Sequence, residues 1–239
     1  MTEKAHRMPK RTWLGLHASV RDLVLLVVGI LIAFGLDASW ENLKEGRDDN
    51  AQLVALAAEF EEIIRVLEDD SVSLSVHMDA TEALVGLFGS SPLPEAEEII
   101  ATTRASIGSR TLQIPNGVLS QFFAEGTISR LKDTELRSRL ASWLALVDDT
   151  AEQLEWLRTH RDEELVPELN EYIPLRTLQG GLELGSSPFI VRTVDLLESR
   201  TLEGMLVYRI QIGRTGLREF SELLRAARRI RALLGTVTD

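Results

Sequence analysis

The sequence predicts an all-α protein: an N-terminal transmembrane helix continuing into an elongated antiparallel helical bundle of three long and two or more short helices. Three observations predict it. The run LVLLVVGILIAFGL, Leu23 to Leu36, carries no charge. Apolar residues then recur at spacings of three and four over three long stretches, which is the period of a helix face. No stretch reads as a strand, because the brief alternation in LVYRIQI lies inside a longer period of 3.6.

The charge-free run alone spans about 21 Å as a helix, short of the roughly 30 Å hydrocarbon core. Extension to residues 20–40 reaches about 30 Å, with Arg21 and Asp22 at one edge and Asp37 at the other, where polar groups meet headgroup water. Trp13 and Trp40 are the expected interface anchors. Lys4, Arg7, Lys10, Arg11 and Arg21 precede or open the span, whereas only Lys44 and Arg47 follow it closely. The positive-inside bias therefore makes residues 1–19 a cytoplasmic tail and residues 41–239 an extracytoplasmic bundle, on a single-pass inner-membrane anchor. Two other readings compete: a signal peptide cleaved at Ala33-Phe34-Gly35, and a core helix of a globular protein. Within the span, Gly29 and Ala33 are four residues apart and stack on one face, a spacing that lets two helix backbones approach in lipid.

A net charge of −11 argues against nucleic acid as a ligand, since phosphate binding needs a basic face. With no cysteine, disulfides, thiolate metal sites and cysteine nucleophiles are excluded. The 239 residues suffice for one sizeable core beyond the span.

The first long helix follows the span without a break, to about Phe88. Its stripe is Leu53, Leu56, Ala57, Phe60, Ile63, Ile64, Leu67, Leu74 and Met78, with a kink expected near Gly46 and Asp48-Asp49-Asn50. GSSPLP at Gly89–Pro94 ends it, and Pro94 opens a short helix with Glu95, Glu97 and Glu98 in its first turn. Ser109 to Gly117 reads as a loop, and Asn116 as the cap of a short helix through Leu119 and Phe122 that stops at Gly126. Asp133 opens the second long helix, with Leu136, Leu140, Trp143, Leu144, Val147, Leu154 and Leu157 inward and Pro167 bending its last turn before Leu169. Tyr172 to Pro188 is irregular and suits a connector or a partner loop. The last element runs from about Pro188 to Leu234, with a break near Glu198 or Ser199. Its arginines, Arg209 among them, should pair with the acidic first helix.

Two segments, LVLLVVGILIAFGLDASWENLKEGR (Leu23–Arg47) and GTISRLKDTELRSRLASW (Gly126–Trp143), resemble a bacterial family of unknown function whose members begin with one membrane span. The shared features are Asp22 before the span, the core Val27–Ala33, Trp40-Glu41-Asn42 after it, Gly126, and the helix start Asp133, Glu135, Leu136, Arg137. The chain departs from that pattern at Gln52-Leu53, where many relatives carry Tyr-Leu. The resemblance implies the span and a helical architecture, and no activity.

Chemistry is sparse. No phosphate loop, Gly-x-Ser-x-Gly elbow or paired Glu-x-x-His motif occurs. Of the histidines, His77 stands near Asp79 and Glu82, and His160 near Glu163 and Glu164, which reads as exposed imidazole beside solvated carboxylates. The pattern implies no enzyme and no cofactor. It points to a scaffold or interaction protein whose partners are the lipid bilayer and either a second copy or a membrane-complex subunit, with a periplasmic ligand-sensing or accessory subunit as the alternative. A buried arginine pointing into a cavity would favour the sensor, and a solid core with an exposed apolar stripe would favour assembly.

Overall fold

The computed structural model describes residues 14–179 and 185–238; within residues 14–48 it describes the side chains of Val27, Val28, Ile30 and Leu31 alone. All regular structure among these residues is helical. The helices are α1 (Leu14–Leu87), α2 (Ala96–Ser106), α3 (Gly117–Ala124), α4 (Thr134–Thr159), α5 (Val166–Asn170), α6 (Leu175–Leu178), α7 (Thr193–Glu198) and α8 (Arg200–Thr238). A 3-10 turn, Thr127–Arg130, precedes α4, and a π turn, His160–Leu165, joins α4 to α5. The chain divides into two units, residues 1–51 and 52–239.

In the first unit α1 is helical without interruption through Gly46 and Asp48–Asn50, so no helix break marks the expected kink. Val27, Val28, Ile30 and Leu31 are all exposed, between 44% and 64%. Among the described residues no helix is long and apolar enough to cross a membrane. Most side chains of the span predicted at 20–40 lie outside that set.

The second unit is a bundle whose three long rods are α1 from residue 52, α4 with its π turn and α5, and α8. Ion pairs fix their directions. Glu61, Glu68 and Glu82 of α1 meet Arg231, Arg228 and Arg214 of α8, the last two at 2.6 and 2.8 Å, so rising numbers on α1 match falling numbers on α8. Glu135 of α4 meets Arg229 at 2.9 Å, and the Gln153 amide donates to the Ile212 carbonyl at 3.2 Å, so α4 also opposes α8. It follows that α1 and α4 run parallel. The segment between them makes this possible by returning along α1: His77 meets the Ala105 carbonyl, Arg110 meets Ser73, and Glu59 meets the start of α3. The predicted charge pairing of first and last helices is thus realised, and the antiparallel order is set by α8 against both neighbours.

Local chemistry explains the boundaries. The Asp133 carboxylate accepts from the Glu135 and Leu136 N–H groups at 2.8 and 3.0 Å and starts α4. Gly126 takes φ +68°, a left-handed conformation that suits glycine, and turns α3 into the 3-10 segment. Pro167 was expected to bend a helix end. Instead the helix widens into the π turn just ahead of it, which is one way to accommodate a ring that would otherwise crowd the carbonyl four residues back. The break before the last helix falls at Ser199, as the sequence indicated. One local reading is corrected: the Asn116 side chain makes no cap. The Glu59 carboxylate of α1 performs that role across the bundle, accepting from Val118 N–H at 2.9 Å and Leu119 N–H at 2.8 Å.

Apolar burial forms two cores in this unit. The larger joins Phe60, Leu67 and Leu74 of α1 to Leu119, Trp143, Leu154, Phe220 and Ile230; the Phe60 and Trp143 rings meet edge-on with centroids 5.2 Å apart. The smaller joins Leu84 to Ile99, Leu165, Leu169, Leu196 and Leu206. Leu144, assigned inward by its spacing, is 47% exposed.

Candidate functional site

Between the two cores lies a polar layer, made of Thr81 from α1, Ser106 from α2, His160 from the π turn and Arg209 from α8. Arg209 is fully buried. Its position follows from helix geometry, since it lies three residues from both Leu206 and Ile212 and shares their inward face. Nε donates to the Ser106 carbonyl at 3.0 Å, Nη2 to the Gly108 carbonyl at 2.5 Å, and Nη1 to the Leu157 carbonyl at 3.4 Å. The first two acceptors lie at the C-terminal end of α2, where carbonyls lack intrahelical partners and a cation is favoured. Burial, reinforced by the nearby Arg161 charge and opposed by Asp162, lowers the Arg209 guanidinium to about 10, still cationic at neutral pH.

His160 is 3% exposed, which corrects the expectation of a solvated imidazole. Nδ1 lies 3.0 Å from the Glu164 carboxylate and Nε2 3.0 Å from the Met205 carbonyl, so both ring nitrogens have polar partners. The imidazole and the Tyr208 ring stand nearly perpendicular, with centroids 5.2 Å apart. The Thr81 hydroxyl donates to the His77 carbonyl at 2.7 Å. Gly108 packs so closely on the His77 ring that a Cβ there would fall 2.0 Å from it. Apart from the His160–Glu164 contact, the layer directs its polar groups at backbone, pinning α2, α4 and α8 to one another. Among the described residues no group of three or more His, Asp or Glu side chains is arranged to hold a metal.

Three surfaces among the described residues combine apolar exposure, a groove or clustered charge. At the end of the bundle formed by α5, α6 and the start of α7, a groove of about 610 Å³ is lined by Tyr172, Pro174, Pro188, Phe189, Ile190 and Arg192 among others. Phe189 and Ile190 are 74% and 84% exposed, and the Arg192 guanidinium sits 5.6 Å from the Tyr172 ring centre. This is the irregular stretch singled out in the sequence. Between α4 and α8, Asp149, Glu152 and Glu219 surround the exposed Trp156. Burial, then repulsion from Asp149 and Glu222, pushes the Glu219 carboxyl up, and its Oε2 is enclosed without a hydrogen-bond partner. Along α8, a groove of about 850 Å³ is lined by Val207, Ile210, Arg214, Leu217 and Arg218 with neighbouring polar residues.

Of the residues predicted to act in the membrane, Gly29, Ala33 and Trp40 fall within the bounds of α1, but their side chains, like Trp13 as a whole, lie outside the described residues. Arg209, expected to pair with the acidic first helix, is instead buried on backbone carbonyls, as its phase in the α8 stripe requires. Adjacent carboxylates on α1 point in different directions: Glu61 reaches Arg231 on α8, whereas Glu62 reaches Arg65 one turn away on α1. Compared with protein-family models, curated proteins and solved structures, the chain matches none.

Proposed function

We propose that this chain is a non-enzymatic, membrane-anchored scaffold: residues 20–40 sit in the inner membrane, the tail is cytoplasmic, and the bundle stands outside as an interaction module. The observation that carries the reading is the exposure of Val27, Val28, Ile30 and Leu31 within a charge-free run. Four neighbouring apolar side chains left uncovered on one helix are what lipid would cover. Gly29 and Ala33 lie in the same run and would bring two anchors together.

Fractionation of cells making the full chain tests this. The protein should pellet with membranes, resist alkaline carbonate and need detergent for release, and reporters fused after Asp239 should be active only outside the cytoplasm. Full-length protein in the detergent-free soluble fraction would overturn the reading.

The second reading, an accessory subunit that docks a ligand or partner, is favoured by the groove beside Tyr172 and the exposure of Phe189 and Ile190. The buried Arg209 does not add to it, because Nε, Nη1 and Nη2 are each directed at a backbone carbonyl.

A further inference from the structure

The exposed edges of α1 and α8 carry complementary stripes. On α1, Asp69, Val72, Val76 and Asp79 are spaced by three, four and three residues and share one face. Val72 and Val76 are 64% and 55% exposed, and the Asp69 side chain is 70% exposed, held by Arg65 at 3.0 Å. On α8, Arg214, Arg218, Ser221 and Arg225 are spaced by four, three and four and again share one face. The Arg214 and Arg225 side chains are 67% and 72% exposed. The two stripes stand level, bracketed by the Glu82–Arg214 and Glu68–Arg228 pairs, with partly buried Leu217 and Leu224 forming the floor between them.

From this arrangement we infer that the α1–α8 face is a homodimer interface, with a two-fold axis running along the bundle so that α1 of each copy lies in the α8 groove of the other. The occupant follows from charge. A two-fold operation exchanges the stripes, setting Asp69 and Asp79 of one copy against Arg225 and Arg218 of the other and burying four valines over the leucine floor. Pairing α1 with its own copy would set aspartate against aspartate. An axis along the bundle also keeps both N-termini on one side, as two anchors in one membrane require; this orientation rests on the membrane reading proposed above, while the complementarity of the stripes does not.

The test uses the full chain in mild detergent, with mass from light scattering and helicity from circular dichroism. The expected species is a dimer, twice the 26.7 kDa chain. Arg218→Glu with Arg225→Glu should weaken dimerisation at least tenfold while helicity holds. Adding Asp69→Arg and Asp79→Arg to the same chain should restore it, because both stripes are then reversed. Because the chain has no cysteine, co-expressed copies bearing Val76→Cys and Ser221→Cys separately should form a disulfide-linked pair under mild oxidation. A monomer at tens of micromolar, a dimer indifferent to the arginine reversal, or one lost only on Gly29→Leu with Ala33→Leu would each overturn this interface. Membrane fractionation of the arginine variant separates the two proposals: it should still pellet with membranes, whereas a soluble but dimeric wild type would sink the anchor and leave the interface standing.

Discussion

Arg209 on α8 donates to the carbonyl of Ser106, 103 residues earlier in the chain, at 3.0 Å, and the same guanidinium reaches Gly108 and Leu157. One buried cation therefore closes the end of α2 and ties it to two long helices. Replacing it by alanine leaves three buried carbonyls short of donors, for an expected loss of about 3 kcal/mol in chemical denaturation. Arg209→Lys should recover less than half of that, because a single ammonium cannot span acceptors that a planar fork reaches. A neutral or stabilising Arg209→Met would show that the layer contributes nothing to stability.

Gly213 of α8 lies against Met78 of α1 so tightly that a Cβ would fall 1.9 Å from the Met78 sulfur. Gly213→Ala gains about 1 kcal/mol of helix propensity and loses more to overpacking, for a net cost of about 1–2 kcal/mol. In a Met78→Ala background the same substitution should become neutral or stabilising. A double-mutant cycle of melting curves measures the coupling, and additive effects would refute the contact.

Glu59 caps α3 from another helix, accepting from Val118 and Leu119 N–H. Glu59→Ala should cost about 1–2 kcal/mol and speed hydrogen exchange at those two amides. Asn116→Ala should change neither, since the Asn116 side chain makes no cap. The opposite ranking would restore the local cap that the sequence suggested.

The contrast between Glu59 and Asn116 shows what the sequence could reveal. The three long helices, the helix start at Asp133 and the break at Ser199 were legible because each depends on spacing or on a side chain within three residues of its target. Arg209 was misread because residue type outweighed phase: an arginine suggests surface, and its carbonyl partners lie about 50 and 100 residues away where no local pattern records them. His160 was missed for the same reason, since its burial depends on α8 and its Met205 carbonyl. The parallel course of α1 and α4 was equally hidden. It depends on residues 96–130 returning along α1, and charge pairing between the first and last helices is silent about the rod between them.

Glu219 supplies a prediction with a definite sign. Its carboxyl is pushed up by burial first, then by Asp149 and Glu222, so the folded protein disfavours the ionised form relative to the unfolded chain. The stability this group contributes is fully present below the unfolded carboxylate value near 4.5 and is lost as pH rises through the higher folded value. At pH 7 the charge is therefore a liability. Glu219→Gln should stabilise the bundle there by about 0.5–1 kcal/mol, because it removes the repulsion and lets an amide donate to Asp149 or Glu222. The gain should shrink as pH falls through and below the unfolded value near 4.5, where wild-type Glu219 takes up a proton of its own. Combining it with Asp149→Asn should give less than the sum of the two, as the substitutions relieve the same repulsion. Melting temperatures of the single and double variants between pH 4 and 8 measure all three effects, and a gain independent of pH would assign the stabilisation to packing in place of charge.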